Sequence, residues 1–183
     1  MPQPQRVPFG LLCTLLLVTL LAMPAGAVVD APVLKWQNGT CQTTWCASGF
    51  YSSVAVVDFG NDGTKEVGYV GYRINLLDAS DGSDLLSTGT IYSRSWPGAA
   101  VADIDADGVL EIVSGHGDGY LRVLDPTLTE EWSVRPTINE VRSVSIQDLD
   151  GDGTLEIVIG VGRAHATSIW AYEHDSTLRT GWP

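Results

Sequence analysis

The chain has 183 residues, with 10 Lys and Arg against 22 Asp and Glu, a formal charge of −12 at neutral pH. So acidic a surface argues against nucleic-acid partners and against anionic membranes, because both are held through positive charge. It suits a protein that gains stability by binding cations, since few basic side chains are present to neutralise the acids.

Arg6 is the only charge before Asp30, and Leu11 to Leu21 is apolar apart from Thr14 and Thr19. Pro24, Ala25, Gly26 and Ala27 follow as a small-residue exit. That layout predicts a secretory signal peptide over residues 1–27, with a retained membrane anchor as the alternative. The apolar stretch is short of the about 20 residues that a membrane span needs. No second candidate span follows, so the mature part is expected to be secreted and free of the membrane. Its charge is 9 basic minus 22 acidic side chains, or −13, once Arg6 is removed.

Residues 28–49 are expected to hold a strand at Val33 to Trp36 and a cysteine loop. Cys13 leaves with the leader, whereas Cys41 and Cys46 stay as a pair in a chain bound for an oxidising compartment. A small local disulfide is the expectation and two free thiols the alternative. A zinc site is not expected, because no second Cys or His pair is suitably spaced. Asn38-Gly39-Thr40 fits the glycosylation acceptor pattern.

The rest of the chain is organised by a repeated loop. Asp103 to Glu111 reads D-I-D-A-D-G-V-L-E, Asp148 to Glu156 reads D-L-D-G-D-G-T-L-E, and Asp58 to Glu66 reads D-F-G-N-D-G-T-K-E. The first aspartates stand at 58, 103 and 148, a step of 45 residues each time. A fixed period of this size predicts repeat architecture.

Short apolar runs surround each loop in the same order. They lie at Tyr51 to Asp58, Glu66 to Tyr72, Ile74 to Asp78 and Leu85-Leu86 in the first unit. In the second they lie at Ala99 to Asp103, Leu110 to Ser114, Tyr120 to Asp125 and Glu131 to Val134. In the third they lie at Val141 to Asp148, Leu155 to Gly160 and Ser168 to Glu173, with a last one beginning at Leu178. No window has a sustained helical period, so helices are expected to be nearly absent. The first strands are apolar on both faces, as strands covered on both sides are. Gly68, Gly71, Gly115, Gly117, Gly119, Gly160 and Gly162 are expected at tight reversals after the second strand.

Four short strands per unit and cover on both faces predict an all-β fold of β-propeller blades, at 50–94, 95–139 and 140–183. Closed propellers have about four to eight blades. Three blades therefore imply a piece of a larger propeller, closure with other chains, or an open array that self-associates through its exposed end faces.

Aspartates at positions 1, 3 and 5 of such a loop turn their carboxylates into one small volume. Glycine at position 6 allows the turn, position 7 offers a carbonyl, and the acid at position 9 closes the shell. Hard oxygens gathered this way suit calcium better than magnesium. The candidate ligands are Asp103, Asp105, Asp107, Val109 and Glu111 in the second loop. In the third they are Asp148, Asp150, Asp152, Thr154 and Glu156, and in the first Asp58, Asp62, Thr64 and Glu66. Gly60 replaces the position-3 acid in the first loop, so two strong sites and one weaker are expected. An EF-hand is excluded, because its position-12 glutamate is replaced by Tyr69, Ser114 and Ile159, and strands rather than helices flank the loops.

With the loops, their register and the strands after them, residues 50–183 resemble the FG-GAP or VCBS repeat family of integrin α-like propellers. The resemblance implies calcium in each loop, bracing one face of each blade. His116, His165 and His174 share no ligand spacing and are expected on loops or edges. Trp96, Trp132, Trp170 and Trp182 are expected to pack between blades, with sugar platforms as the alternative.

The functional expectation is a secreted calcium-binding module that binds a protein or carbohydrate ligand, as in adhesion. The alternative is part of an extracellular polysaccharide lyase or hydrolase. A third reading is a truncated product without an independent role. Propellers host many functions, so the fold does not choose among these.

Overall fold

The computed structural model describes residues 33–37, 53–89, 92–162 and 169–182. The chain divides into a unit of Met1–Leu34 and a unit of Lys35–Pro183, and the described sheets belong to the second. Among the described residues there is no helix. The expected leader, the Cys41 and Cys46 pair and the Asn38 acceptor lie outside the described residues.

Among the described residues eleven strands form three antiparallel meanders. The first sheet holds β1 (Val54–Val57), β2 (Glu66–Val70), β3 (Ile74–Asp78) and β4 (Asp84–Ser87) in chain order. The second holds β5 (Ser95–Ala102), β6 (Glu111–His116), β7 (Leu121–Leu124) and β8 (Glu130–Val134). The third holds β9 (Val141–Gln147), β10 (Glu156–Val161) and β11 (Ile169–Tyr172). Its fourth position is reduced to one bridge, Tyr172 to Leu178, where a full strand was expected. The three sheets are not closed into a ring, so the architecture is an incomplete propeller.

Burial on both faces explains the continuous apolar runs. Ile112 on β6 packs with Phe59, Val70, Ile74 and Leu76 of the first sheet. Its neighbour Val113 turns the other way, to Val141, Ile157 and Ile159 of the third. The register seats Ile112 opposite Leu124 and Val113 opposite Val123, so β7 extends both cores. Each fully buried side chain of this kind contributes roughly 1.5–3 kcal/mol. Trp132 and Trp170 pack on the core between the second and third sheets, as expected of inter-blade residues. Trp96, on β5, packs across to the third sheet under the Arg142 guanidinium of its first strand at 3.9 Å, with Arg94 at 5.2 Å from the ring centre.

The first strands of the sheets line up side by side, with β5 between β1 and β9. A parallel bridge joins Ser53 to Gly98. There β5 bulges, because Ser95 faces His116 and the next paired residue, Ala99, faces Ser114. Pro97 sits inside that bulge, where its missing N–H does no harm. Gly98 has φ +86, and a Cβ on it would lie 2.5 Å from the Ser53 carbonyl oxygen.

Two expectations are corrected here. Residues 33–37 carry no strand. The Trp36 indole N–H donates to the Ala79 carbonyl at 3.0 Å, and its ring covers Gly82, so side-chain docking replaces sheet pairing. Gly68, Gly115 and Gly160 lie within β2, β6 and β10 and not at reversals. They are small because a neighbour presses on them, as Val141 does on Gly115 and Phe59 on Gly68.

The outer faces of the stack keep apolar residues in solvent. Val54 and Val56 are 56% and 55% exposed on the first sheet, and Ile169 is 50% exposed on the third.

Candidate metal centre

Each acidic loop joins the first and second strands of its sheet: β1 to β2, β5 to β6 and β9 to β10. Backbone conformation shapes all three alike. Position 6 is left-handed in each, with φ of 90, 91 and 98 at Gly63, Gly108 and Gly153. Position 4 is left-handed as well, at Asn61, Ala106 and Gly151. Asn and Gly accept that conformation readily, whereas Ala106 is strained in it.

The side chains fold back onto the loop's own N–H groups. Asp103 Oδ1 accepts the Asp107 N–H at 3.0 Å and Oδ2 accepts the Gly108 N–H at 2.9 Å. Asp58 does the same for Asp62 and Gly63, at 3.0 and 2.8 Å. Asp148 accepts from Gly151 at 2.6 Å and from Asp150 and Gly153 at 3.3 Å. The position-5 acids Asp62, Asp107 and Asp152 each accept the N–H two residues on, at 2.8, 2.8 and 2.9 Å. Thr64 and Thr154 add hydroxyl donors to Asp62 and Asp152. These bonds hold both carboxyls below the usual carboxylate range, chiefly through the Thr64 hydroxyl at Asp62 and the Thr154 N–H at Asp152.

The position-9 glutamates are the deepest members. Glu111 is 2% exposed and Glu156 is 0% exposed. One oxygen of each reaches back to the N–H of position 2: Ile104 to Glu111 at 2.8 Å, Leu149 to Glu156 at 2.6 Å, and Phe59 to Glu66 at 2.8 Å. The other oxygen accepts the Thr64 hydroxyl at 3.3 Å in Glu66 and lies 3.1 Å from Arg179 Nη1 in Glu156. Burial pushes the Glu111 carboxyl up to about 7, with Asp105, Glu131 and Asp107 adding to it against the Ile104 N–H. A divalent ion would offset that crowding of negative charge.

Two sets converge. Asp103, Asp105 and Glu111 each offer a carboxylate oxygen within 4.8 Å of the others, and so do Asp148, Asp150 and Glu156. Both can coordinate a divalent ion. Among the described residues the first loop, with Gly60 at position 3, makes no such set. Asp107 and Asp152 fall outside the two converging sets and serve as acceptors for the turn. Tyr69, Ser114 and Ile159 at position 12 lie in strands.

The donors fit a hard cation. All are carboxylate oxygens, with no imidazole or thiolate in either set. Glu156 Oε1 is buried and accepts no hydrogen bond. Its nearest cation is Arg179 Nη1, at 3.1 Å but off the hydrogen-bonding direction. That contact is an ion pair, so a divalent ion ligated by Glu156 Oε1 would have to share the oxygen with Arg179 or displace it.

Sequence reasoning missed three residues here. Arg179 contacts Asp150, Glu156 and Glu173 at 3.0, 3.1 and 3.2 Å. Glu131 stands beside the second loop and is pushed up by burial and by Asp125, Asp105 and Asp107. Ala106 is the third, and Asn61 and Gly151 at the same point of the other two loops were its signal. His116 also departs from expectation. It is fully buried in β6, with Nε2 at 2.9 Å from the Ser114 hydroxyl and Nδ1 at 2.9 Å from the Ser93 carbonyl.

Residues 103–159 match the FG-GAP-like repeat model. No curated protein matches the chain in sequence. Among solved structures the chain is similar to the V. cholerae biofilm matrix protein Bap1, at 20% identity and a TM-score of 0.52. That match covers 80% of this chain and 33% of Bap1, so the chain spans about a third of its length. A quinohemoprotein alcohol dehydrogenase, ADHIIG from Pseudomonas putida HK5, matches at 20% identity and a TM-score of 0.49, over 72% of this chain and 20% of its own. BBS1N, in complex with ARL6DN, matches at 11% and 0.48, over 73% and 54%. The Bap1 likeness concerns the fold alone, and the other two carry no argument. The chain thus holds an FG-GAP-like repeat within a propeller-type stack of sheets.

Proposed function

We propose that this chain is a secreted, calcium-braced propeller module that binds a protein or glycan ligand, in the manner of an adhesion domain. The observation that carries the reading is the pair of carboxylate sets, one position 9 glutamate in each, recurring 45 residues apart on successive sheets. Calcium would be held by Asp103, Asp105 and Glu111 in one loop and by Asp148, Asp150 and Glu156 in the next. It would supply positive charge where several acids converge, and so brace the loop between two strands. The similarity in fold to a biofilm matrix protein, and the signal-like leader at residues 1–27, support an extracellular setting. Blades 50–94, 95–139 and 140–183 remain the proposed units. The exposed Val54, Val56 and Ile169 support further packing at the ends of the stack.

Thermal unfolding of the whole chain in calcium and in chelator tests this. Ligand that binds only the folded state stabilises by about 2.7 kcal/mol at a hundredfold excess over Kd. The melting temperature is expected to climb with calcium concentration. A transition that stays put from chelator to millimolar calcium would exclude the reading.

A further inference from the structure

The two carboxylate sets differ in what the neighbouring edge of the same sheet presents to them. Leu124 faces Glu130 across β7 and β8, and Tyr172 faces Leu178 across the bridge that ends the third sheet. The turns between match too, with Asp125 N–H bonding to Thr129 O and Glu173 N–H to Thr177 O. The residue after the facing pair is therefore Glu131 in the second sheet and Arg179 in the third. In the first sheet Leu77 faces Asp84, so the same place is held by Leu85. One structural position thus carries an acid, a base and a neutral residue in the three repeats.

Arg179 is fixed where a cation would sit. Its backbone N–H donates to Ala171 O at 2.9 Å. Its Nη2 lies 3.0 Å from Asp150, and its Nη1 reaches Glu156 and Glu173. Asp150 and Glu156 are two of the three acids in the third set. Guanidinium and a divalent ion therefore draw on the same two carboxylates. Glu131 does the reverse, adding negative charge beside Asp105 and Asp107, where among the described residues no arginine or lysine forms an ion pair with the set.

We propose that Arg179 is an internal cation of the third loop, which a divalent ion must displace from Asp150 and Glu156, whereas Glu131 reinforces the second loop, so that calcium fills the second loop before the third. This rests on the calcium reading above. The consequence is an ordered response: the second loop is loaded at low calcium, and the third stays held by Arg179 until calcium is higher. Release of Arg179 would also free Glu173 and loosen the chain after β11, which makes the third loop the calcium-sensitive one.

Calorimetric titration of the whole chain with calcium chloride tests the proposal. The wild type is expected to show two unequal classes of site, with Asp150→Asn removing the weaker. Arg179→Gln is expected to tighten the weaker class about tenfold, as removal of one unit charge a few ångströms away implies, and to leave the tighter class unchanged. Glu131→Gln is expected to weaken the tighter class alone. Arg179→Lys keeps the charge but loses the fork that spans both acids, so its affinity should fall between wild type and Arg179→Gln. If Arg179→Gln is unfolded in chelator, the calcium midpoint of its refolding by circular dichroism reads the same affinity. A weaker class that Arg179→Gln leaves unaltered or weakens overturns the competition while the calcium reading stands. Absence of calcium heat from the wild type and every variant overturns the calcium reading itself.

Discussion

The backbone N–H of Leu155 donates to the carbonyl of Ile104 at 2.8 Å, which ties the third acidic loop to the second across two sheets. The N–H of the same Ile104 donates to Glu111, also at 2.8 Å. Ile104 is thus shared: its side chain is in the inter-sheet core, its N–H anchors the deepest acid of one loop, and its carbonyl anchors the next loop. Whatever holds Glu111 in place also holds the edge on which the neighbouring loop rests.

Glu111→Ala tests that sharing. It leaves the buried Ile104 N–H without its acceptor, a loss of about 1–3 kcal/mol. Urea unfolding in chelator should show this loss. In calcium the difference from wild type should widen, because the second loop's calcium contribution goes with it. Equal losses in both media would separate Glu111 from metal binding.

Ala106 occupies a left-handed position with φ 63, where Asn61 and Gly151 stand in the other loops. A left-handed alanine costs roughly 1–2 kcal/mol relative to its ordinary conformation. Part of this is returned by the unfolded chain when glycine is introduced. Ala106→Gly is expected to stabilise the fold by about 0.5–1 kcal/mol, read as a higher urea midpoint at an unchanged slope. A lower midpoint would remove strain at Ala106 from the account.

A Cβ at Gly115 would collide with the Val141 side chain, with Pro97 also close at 3.2 Å. Gly115→Ala should therefore push the second and third sheets apart and cost about 1–3 kcal/mol. The double change Gly115→Ala with Val141→Ala should recover part of the loss, since the colliding methyl is gone. Full additivity of the two losses would mean that the contact is not what limits this position.

His116 makes stability depend on acid. Burial holds its pKa down to about 4, with Arg122 also lowering it, against the Ser93 carbonyl and Asp118. The charged and aromatic groups around it are Asp118, Arg122 and Tyr92, whose ring centre is 5.3 Å from the imidazole. The unfolded chain takes up the proton near 6.5, so the neutral histidine contributes stability above that pH and loses it as pH falls toward 4. The full effect is on the order of 3 kcal/mol, at about 1.4 kcal/mol per unit. His116→Gln should flatten the decline in melting temperature between pH 6.5 and 4. An unchanged slope would assign the acid sensitivity to the carboxylates.

Much of this molecule is legible in its sequence. The strands showed because β6 and β7 are buried on both faces, which forces apolar residues at consecutive positions such as Ile112 and Val113. The loops showed because each ligand set is written within nine residues, Asp103 to Glu111 or Asp148 to Glu156. What did not show depends on contacts between distant residues. Arg179 lies 29 residues from Asp150 along the chain, and nothing local marks it as that acid's partner. His116, expected on a loop or edge, is fully buried in β6, where the bulge in β5 brings Ser95 opposite it. Trp36 sat in an apolar run of strand length, but its ring found Gly82 before its backbone found an edge.

The central claim is that divalent ions occupy the second and third acidic loops. Crystals of the whole chain grown in calcium, measured for anomalous scattering, test it most directly. The account predicts one peak bounded by Asp103, Asp105 and Glu111 and another bounded by Asp148, Asp150 and Glu156, with Arg179 drawn back from the second. Loops of the same shape with no peak, and with those carboxylates facing only solvent or Arg179, would contradict it.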